Sequence, residues 1–191
     1  MKFLLDTCVI SELIRKKPNN QVLQWIENVD EEFLCISVLT IGEIQKGIDK
    51  LENGNLKKAE LQHWLDSDLR ERFKGRILSI DIDVAETWGR KQAEMEQRGL
   101  TLPSIDGLLA ATALSHNMTL VTRNIQDIAH CGVSYLNPWE FLEQAFGVKK
   151  IKNDNKKNEF KKFCGIWSDA ETKEFNQAVH DFDKVDMSDW K

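Results

Sequence analysis

Short apolar runs recur along the chain, and several stop abruptly at polar residues. Phe3-Leu4-Leu5 ends at Asp6, and Thr119 to Thr122 gives way to Arg123-Asn124-Ile125-Gln126-Asp127. Phe33 to Ile36 and Ile77 to Ile80 make two further runs. Each is too short for a helix and reads as a strand buried as in a parallel sheet. The intervening segments carry helical periodicity. Helices are predicted over 9–16 and 20–29, parted by Pro18 and Asn19, with Val22, Leu23 and Ile26 on an apolar face. Ser37 offers an N-cap to a helix from about Val38 to Leu51, with Val38, Ile41, Ile44 and Ile48 turned toward the sheet. After the turn Asn53-Gly54-Asn55 comes a helix over 56–73 with Leu61, Trp64, Leu65 and Leu69 on one face, broken by Gly75. Two more helices follow, 83–98 closed by Gly99 and one from Pro103 and Ser104 through Leu114. Val133 to Tyr135 reads as a small edge strand, and Pro138 opens a last helix to about Phe146. Strands alternating with helices predict an α/β fold, a three-layer α/β/α sandwich around a parallel sheet.

This layout puts acids in equivalent places. Asp6, Glu43, Asp106 and Asp127 all fall just past strand ends or in the first turns of following helices. In a parallel sheet those points converge on the carboxyl edge, where open α/β sheets keep their ligands. Each acid has a plainer explanation: Asp6 as a helix cap, Glu43 as a complement to a helix dipole. Asp106, however, stands on a helix otherwise almost without charge, and a buried acid needs a hydrogen-bond partner, a cation or a raised pKa. Clustered carboxylates repel one another unless something cationic sits among them. All-oxygen ligation suits Mg2+ or Mn2+, which activate water for attack on phosphorus. Metal-dependent phosphodiester hydrolysis is therefore the chemistry these residues permit. The chain has no phosphate-binding Gly-x-x-x-x-Gly-Lys loop, no dinucleotide fingerprint and no Gly-x-Ser-x-Gly elbow. Its four histidines follow no zinc pattern, and His116 reads as a dipole-complementing cap at a helix end.

The charge distribution changes the picture at the carboxyl end. Residues 1–146 hold 16 Lys and Arg against 22 Asp and Glu, whereas 147–162 hold 7 against 2 and 163–191 hold 3 against 7. The switches in sign divide the chain into a body over 1–146, a Lys/Asn-rich linker over 147–162 and an acidic tail over 163–191. An acidic body argues against a broad cationic surface, so any nucleic-acid contact must be local. Arg15, Lys16, Lys17, Lys46 and Lys50 are candidates, each equally readable as a solvated face. No apolar run is long enough to span a membrane. The four scattered cysteines point to reduced, intracellular thiols and a cytoplasmic location.

Several motifs, in order, resemble one family. Leu5-Asp6-Thr7-Cys8-Val9-Ile10-Ser11-Glu12-Leu13, Ile36 to Ile44 with Gly47-Ile48, Pro103-Ser-Ile-Asp106 to Thr112, Leu120 to Asp127, and Asn137-Pro-Trp139-Glu resemble PIN-domain ribonuclease toxins, closest to the VapC and FitB-like toxins of bacterial toxin–antitoxin pairs. The resemblance implies that Asp6, Glu43 and Asp106 hold the metal, with Asn124 or Asp127 as a fourth member, and Thr7, Thr122 and Asn124 in support. It further implies an RNA substrate, often tRNA, an antitoxin partner and a homodimer. Cys8 departs from the Asn common after Asp-Thr in the family. Two other functions fit the same acids: a non-catalytic binding module with a structural ion, and a DNA-directed nuclease of related fold.

The tail is short of a core of its own. Phe163, Ile166 and Trp167 precede a helix capped by Ser168 or Asp169, on which Phe175, Val179 and Phe182 form a stripe, with Trp190 beyond. Fewer than thirty residues cannot bury such a stripe alone, and the spacing is that of a helix-in-groove ligand. Phe163-Cys-Gly-Ile-Trp-Ser-Asp169 resembles the toxin-binding end of the cognate antitoxins, which implies a toxin carrying its own antitoxin-like segment. A plain helical extension is the alternative.

Overall fold

The computed structural model describes residues 1–51 and 56–140. Five strands, β1 (Phe3–Leu5), β2 (Leu34–Ser37), β3 (Ile77–Leu78), β4 (Thr119–Val121) and β5 (Tyr135–Leu136), form one sheet in the order β3-β2-β1-β4-β5, every pairing parallel. The register sorts the core. Leu4 pairs with Cys35 and Leu120, and Leu5 with Ile36 and Val121. Successive side chains point to opposite faces, so each of these rows belongs to one layer.

The Leu5 row packs against α1 (Thr7–Leu13), α2 (Asn20–Glu27), α3 (Val38–Asp49) and the helical run of α4 (Leu56–His63) and α5 (Arg70–Arg72). The Leu4 row packs against α6 (Ile82–Gln97), α7 (Ser104–Ser115) and the short α8 (Ile125–Ile128) through Met95, Leu109, Ala110, Ala113 and Ile128. With helices on both faces of a parallel sheet, the expected three-layer sandwich is the observed one. No described helix is long and apolar enough to cross a membrane.

Two helices differ from their periodicity. The run predicted as one helix over 56–73 contains a π turn, Trp64–Leu69, where the Arg70 N–H donates to Leu65 O. Leu61, Leu65, Leu69 and Phe73 recur every four residues, and at about 100° per residue each step drifts roughly 40° around an α-helix. The widened turn absorbs that drift, and all four are buried. In α3, Val38 is exposed rather than facing the sheet. The buried face is Thr40, Glu43, Ile44, Gly47 and Ile48, and Val38 lies about half a turn from its centre.

Smaller shifts sit at element ends. Helix α1 begins at Thr7, α6 spans Ile82–Gln97, and β5 is Tyr135–Leu136, not 133–135. The backbone at Pro138–Glu140 forms a 3-10 turn. The turn over 53–55, the rest of the last predicted helix, the linker and the tail residues Phe163, Ile166, Trp167, Phe175, Val179, Phe182 and Trp190 lie outside the described residues.

Candidate active site

The strand order reverses direction between β1 and β4, the point at which an open α/β sheet leaves a crevice beyond its carboxyl ends. Asp6 and Thr122 follow those two strands directly. The Asp6 N–H continues the sheet by donating to Val121 O at 3.0 Å, while its carbonyl accepts from Val9 N–H at 3.0 Å. Asp6 is thus the N-cap of α1, yet its side chain makes no capping bond. The carboxylate is engaged elsewhere. Its Oδ2 accepts from Thr122 Oγ1 at 2.5 Å and from Cys8 Sγ at 3.0 Å. Both donors take the same oxygen, and Oδ1 has no hydrogen-bond partner among the described residues. Thr122 Oγ1 in turn accepts from Asn124 N–H at 2.9 Å.

Glu43 reaches this centre from the next strand's helix. Ser37 caps α3 by accepting from Leu39 N–H at 3.2 Å, which starts the helix at the carboxyl end of β2. Glu43 follows in the second turn, and the hydroxyl of Thr7 donates to its Oε2. Asp106 arrives by a different route. Helix α7 ends at Ser115, and Met118 and Thr119 return to the sheet's amino edge through Met118 N–H to Ala113 O and Thr119 N–H to Lys2 O. Its first turn, one helix length away at roughly 1.5 Å per residue, therefore lies toward the carboxyl edge. Asp6, Glu43 and Asp106 are 6%, 7% and 7% exposed, so all three belong to the small set of buried acids among the described residues.

The fourth position is looser. Asp127 is half-buried on α8, and no hydrogen bond ties it to the Asp6 group among the described residues. Asn124 is the N-cap of α8 without a side-chain capping bond, joined to the centre through its backbone on Thr122. His116 closes α7, its Nδ1 3.1 Å from Thr112 O, as a cap should be.

Cys8 was legible only as a departure in the motif, not as a partner of Asp6. It sits two residues past Asp6, and the first turn of α1 brings its sulfur back onto the carboxylate. Burial, then the Asp6 charge and the hydrogen bond to it, push the Cys8 thiol well above its ordinary value. The Arg123 backbone and the Thr122 side chain oppose the shift, which places the Arg123 main chain against the same sulfur.

Among the described residues no three Asp, Glu, His or Cys side chains form a ready-made metal cage. The donor set nevertheless fits a hard cation: buried carboxylates, one with an uncommitted oxygen, at a crevice. Mg2+ needs only one or two carboxylates and keeps its waters. Of the candidate cations, Arg15 pairs with Glu12 at 3.0 Å, and Lys46 and Lys50 close α3. Arg123 is exposed beside the centre, its guanidinium 5.1 Å from the centroid of the Trp139 ring.

With this geometry in place, known proteins fall into line. The family described as PIN domain matches residues 3–131. Toxin FitB of Neisseria gonorrhoeae is 35% identical over 136 residues, covering 71% of this chain and 97% of that protein. VapC ribonuclease Y4jK of Sinorhizobium fredii is 31% identical over 137 residues, covering 72% and 97%. The crystal structure of FitAcB from Neisseria gonorrhoeae superposes with a TM-score of 0.69 at 34% identity, over 73% of this chain and 99% of that one.

Proposed function

The chain belongs to the PIN-domain family, and from that premise we propose that it is a metal-dependent endoribonuclease toxin restrained by its own carboxyl-terminal segment. The observation that carries the reading is the Asp6 carboxylate. It occupies a helix-cap position without capping, is fixed by Thr122 and Cys8 through one oxygen, and keeps the other uncommitted at the sheet's switch point. Its relatives include proteins named ribonuclease and toxin, which supports the choice of RNA over other phosphodiesters.

In this reading Asp6, Glu43 and Asp106 hold Mg2+ or Mn2+, with Asp127 or Asn124 accessory. The bound ion supplies a Lewis acid for the phosphate and a lowered pKa for an attacking water. The chain's own residues supply position. Thr122 and Cys8 fix the Asp6 rotamer, and Thr7 fixes Glu43. Sheet and helix backbone hold the elements bearing them, so the carboxylates are placed in advance to hold the cation that would engage the phosphate. The tail over 163–191 acts as a tethered antitoxin-like ligand and the linker over 147–162 as its leash. A tether of that length raises the local concentration of the tail to about the millimolar range, so modest affinity suffices. The toxin-like body acts as a homodimer.

The test compares the intact chain with residues 1–146 on total RNA, with Mg2+ or Mn2+ and with chelator. Residues 1–146 should cleave in a metal-dependent way, the intact chain should cleave more slowly, and Asp6→Asn with Asp106→Asn should abolish cleavage. Undiminished cleavage by that double variant refutes the site, and equal rates for the intact and shortened chains refute the restraint.

A further inference from the structure

Arg123 differs from every other arginine of the chain. The other six each pair with a carboxylate: Arg15 with Glu12, Arg70 with Asp66, Arg72 and Arg76 with Glu31, Arg90 with Glu86 and Arg98 with Glu94. Arg123 has no acidic partner among the described residues, although acids outnumber bases in residues 1–146 by 22 to 16. Its guanidinium lies instead over the ring of Trp139, at 5.1 Å from the centroid. Trp139 packs against the Leu5-side core, and the turn carrying it packs on α2. The aromatic face is therefore a fixed platform, and it orders the guanidinium without neutralising it.

Its position is as particular as its partner. Arg123 follows Thr122, whose hydroxyl donates to Asp6, and its backbone faces the Cys8 sulfur, itself 3.0 Å from Asp6 Oδ2. An exposed, unneutralised and pre-oriented cation thus stands beside the buried Asp6, at the carboxyl edge toward which Glu43 and Asp106 also lie. An edge lined with acids repels a polyanion, so a strand can be drawn in only where positive charge is local. A planar guanidinium offers parallel N–H donors matched to phosphate oxygens, which an ammonium does not.

We propose that Arg123, poised over Trp139, binds a phosphate of the RNA strand next to the one cleaved; the proposal rests on the ribonuclease reading above. Single-stranded RNA bound there releases the counterions of that phosphate, and the contact is therefore visible in the salt dependence of binding.

Residues 1–146 suit the experiment, because the family match spans residues 3–131 and the relatives are matched over 97% of their own length by little more than 70% of this chain. Asp6→Asn keeps the RNA intact, and binding of a fluorescent single-stranded RNA in Mg2+ is titrated across salt concentrations with and without Arg123→Gln. Arg123→Gln should raise Kd about tenfold and make the slope of log K against log salt shallower by about 0.7, the value of one single-strand phosphate contact. Arg123→Lys should restore the slope but only part of the affinity, since charge returns without the planar fork. An unchanged melting temperature shows that the exposed substitution leaves the fold intact. Equal Kd and slope for Arg123→Gln overturn the proposal, as does full recovery of affinity by Arg123→Lys. If Arg123-dependent binding persists while the unmutated 1–146 fails to cleave RNA, the catalytic reading falls and the phosphate contact stands. If the Asp6→Asn protein binds no RNA at any salt, both fall together.

Discussion

Thr122→Val is the most informative single change at the centre. Valine has nearly the shape of threonine, so packing survives while the hydroxyl disappears. Three contacts go with it: the donation to Asp6 Oδ2 at 2.5 Å, the acceptance from Asn124 N–H at 2.9 Å and the longer, weak contact with Cys8 Sγ at 3.8 Å. The first is a hydrogen bond to a charged group, worth about 1.5–3 kcal/mol. The second leaves a backbone donor short of its partner at roughly 1 kcal/mol more. Cys8 still donates to Asp6, but a thiol is a weak donor and compensates little. The loss should therefore be about 2–4 kcal/mol, or roughly 5–12 °C in melting temperature for a domain of this size. Because Thr122 orients a proposed metal ligand, Mn2+ affinity should fall about 10- to 100-fold. Calorimetric melts in chelator give the first quantity and Mn2+ titration the second, with Thr122→Ser as the hydroxyl-retaining control. The reasoning fails if Thr122→Val melts within about 2 °C of the parent and binds Mn2+ equally well, or if serine behaves as valine does.

Two further outcomes follow from the packing and the thiols. A Cβ on Gly107 would sit 3.1 Å from Leu102 Cγ, and 3.2 Å from both Leu102 Cδ2 and Trp88 Cδ1. Overpacking of about 1–3 kcal/mol then outweighs the roughly 1 kcal/mol gained in helix propensity, so Gly107→Ala should lower the melting temperature, and a rise would refute the close approach. Burial raises the thiols of Cys35 and Cys131, and burial with the Asp6 charge raises that of Cys8, above the ordinary range of a cysteine. Raised folded-state values stabilise the fold fully below about pH 9 and less as pH climbs, because the unfolded chain ionises first. Urea midpoints should hold to about pH 8.5 and decline toward pH 10, and a midpoint that rises over that range would contradict the assignment.

The sheet was legible because buried parallel strands read as apolar runs, and its carboxyl edge because each run ends in a polar residue. Asp6, Glu43 and Asp106 could be placed at that edge from order alone. The bonds that bind the edge into one centre could not. Thr7 meets Glu43 across 36 residues and Thr122 meets Asp6 across 116, separations at which no local pattern carries information. Cys8 shows the opposite failure. It is only two residues from Asp6, but the direction of its sulfur depends on the first turn of α1 beginning at Thr7 rather than Val9. Val38 looked like the start of an apolar stripe because three isoleucines follow at helical spacing. The true face is centred on Glu43, Ile44 and Gly47, and a polar residue was counted out of a buried surface. Pairing of Arg123 with Trp139 depends on the chain passing through β5 and returning, which periodicity cannot express.

The π turn at Trp64–Leu69 amounts to one residue more than an α-helix would hold between the same two ends. That extra residue is taken up by the widened turn and not by the phase of the helix. Removing one residue from the exposed side, at Asp66, Ser67 or Asp68, would let an ordinary α-helix join the same two ends. Leu61 and Phe73 would then be separated by about three full turns, so Phe73 would keep its side of the core. The same deletion in α4 instead would turn everything after it by about 100° about the axis. The π turn is therefore the one stretch of this helical run where a codon can be lost without rotating the residues that follow.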